Sequence, residues 1–177
     1  MSLIDKTYFV QEINIPDSDY SGLTATIVKY EREILTKLLG YELYTLVAAY
    51  NVSTSPQRIK DIVEGKEYTV GDYTIKWNGL ANTELESLIA YYVFYWYLRN
   101  KTTVTSVLGE VRPNVENSVN ASPVQRLSGA WHRLLELYGY AGQDSLIPSA
   151  YNFLSEHQSD YTEWVFTDIG SVNGFDL

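Results

Sequence analysis

The stretch SLIAYYVFYWYLRN, Ser87 to Asn100, sets six aromatic side chains into the seven positions from Tyr91 to Tyr97. A chain carrying it must surround this segment, span a membrane with it, or line a pocket or an interface with it. A membrane-crossing helix needs roughly 20 consecutive apolar residues. The apolar run here, Leu88 to Leu98, is about half that length, with Glu84 and Glu86 before it and Arg99 and Lys101 after it. No membrane role is therefore expected. As a helix the segment is apolar all round: Leu85, Leu88, Ile89, Tyr92 and Trp96 take one side, and Tyr91, Phe94, Tyr95 and Leu98 spread over the rest. A helix apolar on every face is a surrounded, central helix. Its Tyr and Trp tips need polar partners when buried. The segment thus predicts a core helix with a tyrosine rim facing either a hairpin or another subunit.

The surrounding sequence reads as mainly α. Leu23, Ile27, Tyr30, Ile34 and Leu38 recur at spacings of three and four, with Leu35 and Leu39 beside them, which is one face of an amphipathic helix. Gly40 ends or breaks it. A second short helix follows at once through Leu43, Leu46, Val47 and Tyr50. Ser55-Pro56 supplies a cap with Pro at the first helical position, ahead of Ile59, Ile62 and Val63, and Gly65 stops that helix. Asn82 reads as the cap of the aromatic helix, with Glu84 and Glu86 in its first turn, where the helix dipole favours carboxylates. Ser122-Pro123 opens another helix through Leu127, Trp131, Leu134 and Tyr138, ending at Gly139. A shorter one runs from Ser149 to His157.

KEYTVGDYTIKW carries the period of a strand instead. Gly71-Asp72 fits a two-residue hairpin turn, which pairs Val70 with Tyr73, Tyr68 with Ile75, and Glu67 with Lys76. That register puts Tyr68, Val70, Tyr73, Ile75 and Trp77 on one face and opposes Glu67 to Lys76 on the other. The fold expected is a single mainly α domain over 1–177, a bundle of about five or six helices with one inserted β-hairpin at 66–78. Extended arms are expected at 1–19, where the chain could also form a short strand, and at 103–121. The latter is Val-, Thr- and Asn-rich, lacks helical period and exceeds ordinary connection lengths. A C-terminal tail is expected at 159–177, with strand-like aromatic alternation through Trp164 and Phe166.

The chemistry-bearing residues are few. There is no Cys, so disulfides, thiolate metal sites and Cys nucleophiles are excluded. His132 and Glu136 stand four apart, a spacing that puts two ligands on one helix face, but nothing completes a metal site. The acidic pairs Asp17/Asp19, Glu31/Glu33 and Glu84/Glu86 read as solvated faces and caps, because residues two apart on a helix do not face each other. No nucleophile elbow, zinc-helix, P-loop or dinucleotide motif is present. Neither cofactor nor metal is expected. The net charge of −9 opposes phosphate binding and favours solubility. The N-terminus lacks the basic and apolar regions of a secretory signal.

Taken in order, LIDKTYFVQEINIP, YEREILTKLLGYELYTLV, the hairpin ending KWNGL, SLIAYYVFYWYLRN, GEVRPNVENSVNASP and AWHRLLELYGY…FLSEH resemble the head–tail connector (adaptor, or neck) proteins of tailed bacteriophages and prophages. The resemblance covers nearly the whole chain and rests on the order of its blocks rather than on a sharp motif. It implies a non-enzymatic virion subunit, assembled in the bacterial cytoplasm into a homo-oligomeric ring. The implied partners are the portal and the neck or tail proteins, with DNA passing through the ring without sequence-specific binding. Candidate contacts with neighbours or partners are Tyr91 and Tyr95 in the aromatic helix, Val104, Val107, Val111 and Val115 in the arm, and Trp164 and Phe166 in the tail. The competing expectation is a small helical protein- or ligand-binding module without catalysis.

Overall fold

A computed structural model describes residues 2–16, 22–102, 104–106, 109–111 and 123–170. The protein is mainly α, with helices α1 (Leu23–Ala48), α2 (Gln57–Glu64), α3 (Leu88–Thr102), α4 (Pro123–Tyr138) and α5 (Ala150–Glu156). The expected hairpin is formed by β1 (Lys66–Val70) and β2 (Tyr73–Trp77). Its register is the predicted one: Val70 opposes Tyr73, Tyr68 opposes Ile75, and Glu67 opposes Lys76. Tyr68, Ile75 and Trp77 are buried, while Tyr73, at the turn, is exposed.

The aromatic helix is the centre of the fold. Every residue from Ser87 to Tyr95 is buried, and α3 packs on α1 on one side and on α4 on another. Towards α1, Tyr92 meets Tyr30 edge-on at 6.1 Å, and Trp96 stacks on Tyr30 at 5.6 Å. Towards α4, Tyr95 lies 4.8 Å from Trp131. Aromatic pairs of this kind add specific geometry to the large area they bury. The β1–β2 hairpin closes the α2–α5 side. The Trp77 ring stacks on Phe153 at 6.0 Å, and its indole N–H donates to the Ile62 carbonyl at 3.1 Å. Gly79 must be glycine at this seam. Its φ is +90°, and a Cβ there would lie 2.5 Å from the Val63 carbonyl oxygen.

Four expectations are corrected. The described part of the N-terminal arm is not simply extended. It forms two 3-10 turns, Lys6–Tyr8 and Gln11–Ile13, and buries Ile4, Tyr8, Phe9, Ile13 and Ile15. The aromatic helix starts at Leu88, not just after Asn82. Leu85 has φ +59°, which breaks helical geometry, and the Asn82 amide closes a loop by bonding both backbone groups of Glu86. Ser87 is the residue at the helix start, its Oγ accepting from the Ile89 N–H. Pro56 is the cap of α2 rather than its first residue. Finally, part of the 103–121 arm is a second hairpin, β3 (Val104–Ser106) paired antiparallel with β4 (Gly109–Val111).

Candidate assembly surface

The interior of α3 accounts for its tyrosines within the chain. Tyr91 and Tyr95 are only 5% and 2% exposed, so neither offers a ring to a neighbour. The Tyr91 hydroxyl donates to the Glu12 carboxylate, and this bond holds Glu12 below the usual carboxylate range. The Tyr92 hydroxyl donates to Glu33 at 2.6 Å, and Lys37 reaches the same carboxylate oxygen at 2.8 Å. Partial burial pushes Glu33 up, but these two bonds outweigh it and its pKa is lowered. Burial, followed by the adjacent carboxylate, raises both tyrosines. Their hydroxyls stay protonated as donors.

From Trp96 onward α3 leaves the core. Trp96, Tyr97 and Leu98 are half-buried, and cations cover the rings. Arg99 sits 5.1 Å above Trp96, Lys101 5.8 Å from Tyr97, and Lys29 4.7 Å over Tyr30. The Asn100 amide donates to the Tyr30 hydroxyl at 3.0 Å. This collar of rings and cations is where the chain departs into β3–β4. In that hairpin Val104 opposes Val111. Its sheet has two strands, so each strand keeps an unpaired edge among the described residues. Val107 and Val115 lie outside the described residues.

Trp164 and Phe166 are half-buried against their own chain. Phe166 packs on Tyr138 at 5.3 Å and on Tyr151 at 4.7 Å. The segment has the expected alternation, since Val165 between them points out at 64% exposure. Its backbone partner is a helix rather than a strand. Gly40 sits inside α1 with φ +75° and ψ 168°, which splits the helix. Val165 N–H then donates to Leu39, Thr167 N–H to Lys37, and the Trp164 indole to Leu38 at 2.8 Å. A broken helix leaves its last carbonyls without partners, and the C-terminal segment supplies them.

Two clefts carry opposite charge. One, of about 240 Å³, is bounded by the Gln11–Ile13 turn and the loop before α3, and presents Glu12, Glu84 and Glu86 around Tyr91. Gln11 and Leu85, the two non-glycine positions with positive φ among the described residues, form its walls. The other is an open groove of about 400 Å³ on α1, lined by Lys29, Arg32, Glu33, Thr36, Lys37 and Thr167. Between α4 and the loop before α3, Arg133 bonds Glu86 and also Glu136 at 2.6 Å. Partial burial lowers Arg133, but the two carboxylates more than offset this and its pKa is raised.

His132 is exposed and Glu136 is engaged by Arg133, so the pair does not converge. Among the described residues no cluster of three or more His, Asp or Glu is placed to hold a metal. None of the described helices is long and apolar enough to cross a membrane. Glu31, read from sequence as part of a solvated face, is 8% exposed and accepts from Ser2 Oγ and the Leu3 N–H. Burial pushes its carboxyl up, against the pull of those bonds. No known protein family, curated protein or solved structure matches the chain.

Proposed function

We propose that this protein is a structural virion subunit, a phage or prophage head–tail connector that forms a ring between portal and tail and performs no catalysis. The resemblance in block order points there. The observation that carries the reading is β3–β4, which follows the half-buried collar of α3 as a two-stranded ladder whose outer edges are unpaired among the described residues. An isolated two-stranded hairpin is marginal in water, and unpaired edges invite a strand from another chain. Such an element suits a subunit completed by its neighbours. The clefts also favour assembly over a small-molecule module. Drug-sized ligands bind in largely apolar pockets of about 300–1,000 Å³, whereas both charged clefts here are lined mainly by ionic or polar side chains. The acidity fits a channel that DNA traverses without adhering.

Co-sedimentation with the portal complex encoded in the same genome tests the reading. Recruitment of the chain to the portal supports it. Failure to bind portal or neck proteins, combined with tight binding of a small molecule, replaces it with the binding-module reading.

A further inference from the structure

We infer that the exposed face of α1 bearing Lys29, Arg32 and Lys37 is the seat for the Glu12–Glu84 cleft of a second copy of this chain, so that subunits join head to tail. This deepens the ring reading and rests on it. On a helix, positions 29, 32, 36 and 37 share one side. That side gathers three of the 13 basic residues of a chain with 22 acidic ones. Its one carboxylate, Glu33, is already held by Lys37 and Tyr92. Lys29 and Arg32 are exposed, and Arg32 makes no ion pair among the described residues. Among the described residues the face therefore carries more positive charge than its one carboxylate, Glu33, balances.

The complement is in the same molecule but on another side of it. Glu86 in the acidic cleft is matched by Arg133, which leaves Glu12 and the exposed Glu84 to receive a basic side chain. Among the described residues Glu84 pairs with one cation, Lys76, at 3.7 Å and with both side chains more than half exposed, and its other oxygen accepts from the neighbouring Thr83 hydroxyl at 3.3 Å. Tyr91 lines this cleft, whereas Tyr92 is bonded into the basic face. Consecutive helix positions point roughly 100° apart. The two patches thus diverge around α3, and one subunit cannot join them to each other. Two different patches meeting between copies make a heterologous contact, which closes into a ring or propagates as a filament. Charge complementarity of this kind sets register and suppresses wrong partners. It also consumes the local positive charge and leaves the assembled surface acidic.

The test is charge reversal with rescue. One variant carries Lys29→Glu and Arg32→Glu, another carries Glu84→Lys, and a third carries all three changes. Circular dichroism verifies that each folds; all three positions are exposed. Assembly is read by sedimentation velocity at low ionic strength, alone and on the portal. Each single-face variant should self-associate about tenfold or more weakly than wild type. The triple variant, and an equimolar mixture of the two single-face variants, should recover. A neutral pair, Lys29→Gln with Arg32→Gln, should weaken assembly less than reversal and flatten its salt dependence. If wild type assembles and the reversed variants assemble equally well, or if neither combination recovers, the face assignment is wrong while the ring reading stands. If wild type is neither self-associating nor recruited by the portal, the ring reading itself fails. If the Lys29→Glu/Arg32→Glu variant loses duplex-DNA binding but keeps assembly, the face serves a polyanion and the inference is overturned.

Discussion

The indole N–H of Trp164 donates to the main-chain carbonyl of Leu38 at 2.8 Å, across 126 positions of sequence. With the backbone bonds from Val165 and Thr167, it ties the C-terminal segment to the break in α1. Trp164→Phe keeps an aromatic ring, a smaller one, and leaves that carbonyl without its indole donor. A buried polar group left unpaired costs about 1–3 kcal/mol. Denaturant unfolding should show a loss in that range with an unchanged m-value.

Gly40 is the other half of the same joint. Its φ is +75°, and a Cβ there would sit 2.8 Å from the Val165 Cβ. Gly40→Ala should destabilise the chain by about 1–3 kcal/mol through strain and the displaced segment. Limited proteolysis should then cut first within 159–170. A variant as resistant as wild type would contradict the joint.

Tyr91 and Tyr95 are core residues of this chain. Large-to-small changes at buried aromatics cost about 3–5 kcal/mol, against a total stability of about 5–15 kcal/mol for typical domains. Tyr91→Ala and Tyr95→Ala should each reduce the thermal midpoint steeply and lower soluble yield. Tyr95→Ala with unchanged stability and lost assembly would instead mark the ring as a subunit contact.

Acid should act on two glutamates in opposite directions. Glu33 has a lowered folded pKa, so its contribution is present above about 4.5, its unfolded value, and is lost as pH falls through the folded value. Glu31 has a raised folded pKa, so its contribution is full below about 4.5 and is lost as pH rises through the folded value. Glu31→Gln should therefore raise the thermal midpoint at pH 7, with the advantage shrinking as pH falls towards 4.5. Tyr92→Phe should cost about 1 kcal/mol at pH 7, given the partial exposure of Glu33. That deficit should narrow as pH falls below about 4.5 and through the lowered folded value. Parallel pH profiles for wild type and both variants would contradict these assignments.

Local pattern made much of this fold legible. The β1–β2 register followed from a tight turn, an apolar face and one opposed charge pair, all within twelve residues. The burial of α3 followed from its all-round apolarity. The break at Gly40 was also readable, but what fills it was not, because its partners lie at Trp164, Val165 and Thr167. Asn82 with Glu84 and Glu86 imitates a helix start. The left-handed Leu85 defeats it, and a bulky side chain gives no local warning of that conformation. Glu31 looked solvated because its partners, Ser2 and Leu3, come from a segment with no periodic signal. The tyrosine rim reads from sequence as facing a hairpin or another subunit for a similar reason. Sequence shows that a hydroxyl needs a partner without showing that Glu12 and Glu33 supply it.

The connector reading is tested most directly by electron microscopy of the chain mixed with its cognate portal. Class averages should show a closed ring of this subunit seated on the portal, coaxial with its channel, with β3–β4 at the seams between subunits. Bare portals beside a free monomer would contradict it.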